Sequence, residues 1–264
     1  MRIKYVFLSA AFLFLFGLSM AVPTHAAPAR ATAGDLRTLL DLQLSEHVYL
    51  AGTATGAALG GRDAEFKAAA DALDMNSVEI SKSIGSVYGS DAENAFLPLW
   101  RSHIGFFVDY TQGAAAKDRA KMDKAVSDLT GYSQDFAAFI SGANPNLSKD
   151  AVVDLLNSHV VGLKDAVDAQ AAGDAPKAYA ALRMASQHMD MIGNALAGGI
   201  AKQFPDKFTG SSSSPASTLR ATLNWALGEH IYLAASATGA ALGGRDAEFK
   251  AAADALDMNS VDLS

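Results

Sequence analysis

The chain makes the same helical hairpin twice. Leu36 to Ser81 returns as Leu219 to Ser264 with every position moved by 183, and Ala54 to Val78 matches Ala237 to Val261 without a difference. Glu46-His47-Val48-Tyr49-Leu50 comes back as Glu229-His230-Ile231-Tyr232-Leu233. A repeated unit of two helices buries too little to stand alone, so each copy must find a surface to dock on. The second copy holds no counterpart of Ile84 and Val87, where the first continues; a truncated open reading frame or a fragment is the alternative to a docked or exchanged hairpin.

Apolar residues recur at helical spacing, and strand-type alternation is nearly absent, which predicts an all-α chain. The expected architecture is an antiparallel helical bundle of three αα-hairpins with a repeat of about 56 residues, followed by the partial duplicate hairpin. Leu36, Leu39, Leu40 and Leu44 begin the stripe of a first helix over roughly 35–60, which Gly60-Gly61 closes. Asp63 is the expected cap of a second helix running to Tyr88-Gly89. A third starts at Ser90 or Asp91 with Phe96, Trp100, Phe107 and Tyr110 inward. A fourth runs from Asp118 to the Asn144-Pro145 break, a fifth is capped by Ser148, and a sixth spans 175–203.

Domain boundaries follow from composition. Residues 1–26 read as a secretory signal peptide: Arg2 and Lys4 precede the apolar run Val6–Val22, and Thr24-His25-Ala26 supplies small residues for cleavage. The six-helix main domain is expected at 33–209. Residues 210–217, rich in Gly, Ser and Pro, read as a flexible linker, and 218–264 is the second copy. No later apolar run reaches the roughly 20 residues that span a bilayer. The mature chain is therefore expected outside the cytoplasm, secreted, periplasmic or attached to the cell envelope.

Removing Arg2 and Lys4 takes the formal charge from −7 to −9, and no basic cluster offsets it, which argues against nucleic acid as a partner. The absence of cysteine excludes disulfides, thiolate metal sites and covalent c-type haem.

Inside the main domain lies a second periodicity. His47, His103 and His159 are 56 residues apart, each on the first helix of a hairpin. On the second helices Glu79, Asp135 and His188 stand where an antiparallel hairpin brings them to the height of those histidines. Apolar neighbours at helical spacing turn His103, His159 and His188 inward, while Glu79 and Asp135 sit at the edge of their stripes. A level of imidazoles with carboxylates inside a bundle is how many Zn, Cu, Fe or Mn sites are built. The candidate ligands are His47, His103, His159 and His188, with Glu79, Asp135 and Glu46 as oxygen donors or their supports; His230, Glu229 and Asp262 are the counterparts in the second copy. The structural alternative is that each histidine bonds a nearby carboxylate or carbonyl and sets helix register.

Haem held by histidines, or by a histidine with Met184, Met189 or Met191, is a further alternative. No Glu-x-x-His motif, no His-Glu-x-x-His motif and no Gly-x-Ser-x-Gly elbow occurs, so di-iron, zincin and esterase chemistry find no support. The expectation is a non-catalytic metal- or ligand-binding module, with a structural or interaction module as the alternative and a metalloenzyme third. Gly56, Gly60 and Gly198-Gly199, with the Ala-rich first helix, suit close helix approach. The duplicate hairpin is expected to dock on the main domain or to exchange with another molecule in a swapped oligomer.

Glu46-His47-Val48-Tyr49-Leu50, Gly61-Arg62-Asp63-Ala64-Glu65-Phe66-Lys67-Ala68-Ala69-Ala70-Asp71-Ala72-Leu73-Asp74, Ser86-Val87-Tyr88-Gly89 and Gln203-Phe204-Pro205-Asp206-Lys207-Phe208 together resemble a secreted bacterial helical domain. Such domains occur in uncharacterised proteins labelled for a copper amine oxidase N-terminal-like module. The resemblance covers about 35–208 and implies an extracytoplasmic helical module, with no activity attached. The label belongs to a separate β-rich module that this chain lacks, and no topaquinone motif is present; it carries no implication of copper or of oxidation.

Overall fold

The computed structural model describes residues 30–264, and the leader read at 1–26 lies outside the described residues. Eight helices follow in order: α1 (Ala33–Leu59), α2 (Asp63–Tyr88), α3 (Ser90–Ala116), α4 (Arg119–Ala143), α5 (Lys149–Ala171), α6 (Ala175–Gln203), α7 (Pro215–Leu242) and α8 (Asp246–Asp262). Each boundary has a local cause. Thr32 and Asp35 form a reciprocal capping box at α1; Asp118, Ser148, Asp174 and Ser214 cap α4, α5, α6 and α7 by accepting from backbone N–H groups. Gly61, at φ +65°, takes the left-handed turn between α1 and α2 that a side chain would strain. One expected cap is not used: Asp63 is the first residue of α2, and Arg62 precedes it without a side-chain cap.

Helices α1 to α6 close a ring, each touching the next and α6 returning to α1. Across the interior α1, α3 and α5 touch one another, whereas among the described residues α2, α4 and α6 do not. The first helix of every hairpin is thus inside and the second flanks it. This follows from the 56-residue repeat, which gives each hairpin the same inward stripe. The core joins Leu40, Leu44 and Val48 of α1 to Phe96 and Trp100 of α3, Phe136 of α4, Leu156 of α5 and Met189 of α6. Phe96 stacks on Trp100 with ring centroids 5.4 Å apart. Leu39, expected in the α1 stripe, is exposed instead.

The ends of the ring are pinned together. Ala33 N–H donates to Thr209 O at 2.8 Å, and Thr209 N–H donates to Ala31 O at 3.0 Å. Buried Arg37 donates to Asp41 at 3.3 Å, Asp190 at 2.7 Å, the Ser212 carbonyl at 2.9 Å and the Thr218 hydroxyl at 3.2 Å. The stretch read as a flexible linker is therefore held: Ser212 is buried, and α7 already begins at Pro215. Burial and the neighbouring Asp190 push the Asp41 carboxyl up to about 8, against the pull of Arg37.

The α7–α8 hairpin docks on α1 and α6 of its own chain. The contact is reciprocal. Tyr49 hydroxyl donates to Glu229 at 2.6 Å and Tyr232 hydroxyl donates to Glu46 at 3.0 Å; Arg37 bonds Thr218, and Arg220 pairs with Asp35. Tyr49 and Tyr232, equivalent positions of the repeat, stack at 5.2 Å with planes 10° apart. Helices α1 and α7 therefore run parallel about a local two-fold, the arrangement of an isologous dimer within one chain. Among the described residues no helix is long and apolar enough to cross a membrane.

Truncation separates a buried apolar position from an exposed one. Phe96→Ala, at a fully buried ring, is expected to lower unfolding free energy by about 3–5 kcal/mol. Leu39→Ala should change it by less than about 0.5 kcal/mol, both read from urea denaturation followed by circular dichroism.

Candidate functional site

Where α1, α3 and α5 meet, the repeat brings His47, His103 and His159 into one cluster. They are 1, 3 and 5 % exposed. His47 Nε2 lies 3.2 Å from His103 Nε2, and the His47 and His159 ring centroids are 6.5 Å apart. Trp100 packs against both of the closer rings, at 4.9 Å from His47 and edge-on at 4.7 Å from His103, and Tyr132 lies 4.8 Å from His103. The walls are aromatic because α3 and α4 carry the most aromatic inward stripes of the chain.

Hydrogen-bond accounting within the cluster does not close. A single N–H···N bond between His47 and His103 satisfies one nitrogen of each. Both nitrogens of His159, Trp100 Nε1 and the Tyr132 hydroxyl are buried with no partner in the protein; Nδ1 of His47 and of His103 and Asn76 Oδ1 fall outside hydrogen-bond geometry, with the Asn76 side chain beside His47 and the Trp100 backbone beside His103. Each such group costs about 1–3 kcal/mol if nothing else satisfies it, so several gathered at one point mark a place built for a bonding partner. A cavity of about 30 Å³ between His103, His159, Trp100, Tyr132 and Met189 has room for a water-sized guest. A larger cleft of about 230 Å³, walled by Ala51, Phe66, Phe107 and Leu163, reaches His47 and His103 from between α1, α2, α3 and α5.

The electrostatics favour neutral rings. Burial holds the His47 imidazole down to about 4, against the nearby Asn76 side chain. Burial, with His47 and His188 nearby, holds His159 down to about 3. His103 is pushed well below its ordinary value by burial and by the two other imidazoles. At neutral pH all three are uncharged, the form in which a ring nitrogen ligates a metal or accepts a hydrogen bond. Two nitrogens on one tetrahedral ion at 2.0–2.1 Å stand about 3.3 Å apart, close to the His47–His103 spacing. His159 stands farther off, and among the described residues no group of three or more His, Asp or Glu side chains is drawn closely enough to hold an ion without adjustment.

The other expected members lie elsewhere. Glu79 and Asp135 are exposed; the buried polar residues of their helices are Asn76, Ser77 and Ser81 on α2 and Ser133 on α4. Glu46 accepts from Asn76 at 2.9 Å and from Tyr232, turned toward α7. His188 is half-buried, and its Nε2–H donates to the Leu155 carbonyl at 2.9 Å, the structural role weighed as the alternative. Met184 and Met191 are exposed, which removes them as inward haem ligands; only Met189 reaches the core.

In the second copy His230 bonds Asn259 at 3.1 Å. Glu229 is fully buried, accepting from Tyr49, from Asn259 at 2.8 Å and from Arg183 at 3.0 Å; exposed Asp262 takes the other contact of Arg183 at 2.6 Å. These are docking contacts. Asn76, Tyr132 and Arg183 escaped the reading of the sequence. The one available signal was an Asn on the apolar side of α2, repeated as Asn259.

No known protein family, no curated protein and no solved structure matches the chain. The resemblance drawn above stands on its motifs alone.

The depressed imidazoles give a signed pH dependence for the metal-free protein. Between about pH 6.5 and pH 4 the unfolded chain binds protons that the folded cluster refuses, so stability is full above this window and falls as pH drops through it. Melting temperature should fall from pH 7 to pH 4.5, and His159→Leu should flatten that fall. An unchanged slope in the variant would remove His159 from the account.

Proposed function

We propose that this protein is an extracytoplasmic helical binding module that holds one transition-metal ion through His47, His103 and His159. What carries the reading is the buried convergence of three neutral imidazoles, two of which meet only each other through Nε2 at ligand spacing while both nitrogens of His159 have no protein partner. A donor set of nitrogen alone, with every nearby carboxylate turned away, suits Cu or Zn better than Mn or Fe. The cleft that reaches His47 and His103 is the route by which an ion arrives. Trp100 and Tyr132 hold the rings in place and exclude bulk water.

The module is read as binding rather than catalytic, because Glu46, Glu79 and Asp135, the carboxylates nearest in height, all lie outside the cluster and leave no base beside the metal. Placement outside the cytoplasm rests on the leader read at 1–26.

Titration of the untagged chain with Cu and Zn, followed by mass spectrometry under native conditions, is expected to give one tightly held ion. His103→Ala and His159→Ala should each weaken it by at least about a hundredfold, as loss of one ligand of three does. His188→Ala should leave binding unchanged, and far-ultraviolet circular dichroism should show the helices retained in all three. Equal affinity in wild type, His103→Ala and His159→Ala would overturn the proposal and leave the histidines as polar packing of the core.

A further inference from the structure

The hairpin repeat places the same Glu, His and Asn together twice. In the second copy buried Asn259 spends both amide hydrogens, donating to the Ala226 carbonyl at 2.9 Å and to Glu229 Oε2 at 2.8 Å. Neither partner donates in return, so the nitrogen end of the amide is fixed and Oδ1 points the other way. There it lies 3.1 Å from His230 Nδ1. An amide oxygen only accepts, so the proton of His230 sits on Nδ1 and Nε2 carries the lone pair.

In the first copy Asn76 is oriented in the same way. It donates to the Gln43 carbonyl at 3.0 Å and to Glu46 Oε2 at 2.9 Å. Glu46 is held in turn from the docked hairpin, where the Tyr232 hydroxyl donates to its Oε1 at 3.0 Å. The Asn76 side chain lies beside the His47 ring, and Nδ1 of His47 and Oδ1 of Asn76 are both buried without a partner at bonding distance. These are the equivalents of the two atoms that meet in the second copy. A bare Nδ1 on His47 would set lone pair against lone pair, and the amide cannot turn over without giving up both of its other bonds.

We propose that Asn76 is the positioning residue of the histidine cluster: its Oδ1 accepts from His47 Nδ1–H, which holds the His47 lone pair at Nε2, facing His103. The purpose of that arrangement rests on the reading of the cluster as a metal site; the place of the proton rests on the hydrogen bonds of the two copies. A ring free to exchange tautomers presents Nε2–H to an arriving ion part of the time, whereas a ring held at Nδ1–H always presents the lone pair. Histidines that ligate metals are almost always held through the N–H that faces away from the ion. In the metal-free protein the hydrogen between the two rings, 3.2 Å apart at Nε2, then belongs to His103. His188 is held the opposite way, since its Nε2–H is given to the Leu155 carbonyl.

The test reads the imidazole rings of the isotope-labelled full chain, free of metal at neutral pH, by long-range proton–nitrogen correlation. His47 is expected with a pyrrole-type Nδ1 and a pyridine-type Nε2, as is His230, while His188 in the same spectrum shows the reverse. Asn76→Leu, similar in size but without the acceptor, should turn His47 into a mixture of tautomers and leave His230 unchanged. It should also weaken Zn binding by about tenfold to a hundredfold, with helicity retained. A wild-type His47 that carries its proton on Nε2 overturns the proposal, and that reading needs no variant to fold. Equal Zn affinity in wild type and Asn76→Leu overturns it as well. A wild type that binds no Zn defeats the metal site itself, and the His47 tautomer still shows whether the bond to Asn76 exists.

Discussion

Three helices that face one another across a closed ring must share one interior, and here α1, α3 and α5 share it with an imidazole each. The contact among these helices sets the rest. It places α2, α4 and α6 outside as flanks, it fixes which stripe of each hairpin is apolar, and it buries the rings at positions 47, 103 and 159. Aromatic side chains from α3 and α4 fill the space that three inward helices leave between them. The cluster is therefore a consequence of the packing level at which the repeat meets itself, and the neutral state of its rings follows from burial.

Polar atoms in the interior are treated in two different ways. At the docking face of α7 the buried charges find partners: Glu229 receives Tyr49, Asn259 and Arg183, and Arg37 spends its donors on Asp41, Asp190, Ser212 and Thr218, with Asp41 Oδ1 alone left unbonded. At the histidine cluster the nitrogens outnumber the partners. A fold that bonds most of its other buried polar atoms, Asp41 Oδ1 excepted, yet gathers several unmatched imidazole nitrogens in one place, tolerates a local cost of several kcal/mol there. Fully matched networks hold elements together; an unmatched one is where a guest has something to bond.

The duplication shows how far sequence and environment come apart. Ala54 to Val78 and Ala237 to Val261 are the same residues, and both copies fold to the same helices with the same Gly-Gly turn. Yet Ser77 is buried where Ser260 is exposed, and Leu44 is buried where Leu227 is not. Helix formation and capping are decided within a few residues, so they survive transplantation. Burial depends on what stands opposite, and only the first copy has α3 and α5 across from it.

The sequence by itself determined the helical class, the order and ends of the helices, the repeat of 56 residues and the inward direction of His103 and His159, because each of these rests on periodicity and local capping. It also put Glu79, Asp135 and His188 at matching heights. Height along a hairpin is arithmetic, but facing is not: a rotation of one helix by a quarter turn moves a carboxylate from the core to solvent without changing its level. Only the tertiary structure decided that Asn76 rather than Glu79 faces inward, that His47 pairs with a histidine from another hairpin rather than with a carboxylate of its own, and that the second copy is docked with its core face outward. Those outcomes depend on how helices distant in the chain rotate to bury the most apolar surface together, and no local pattern carries that information.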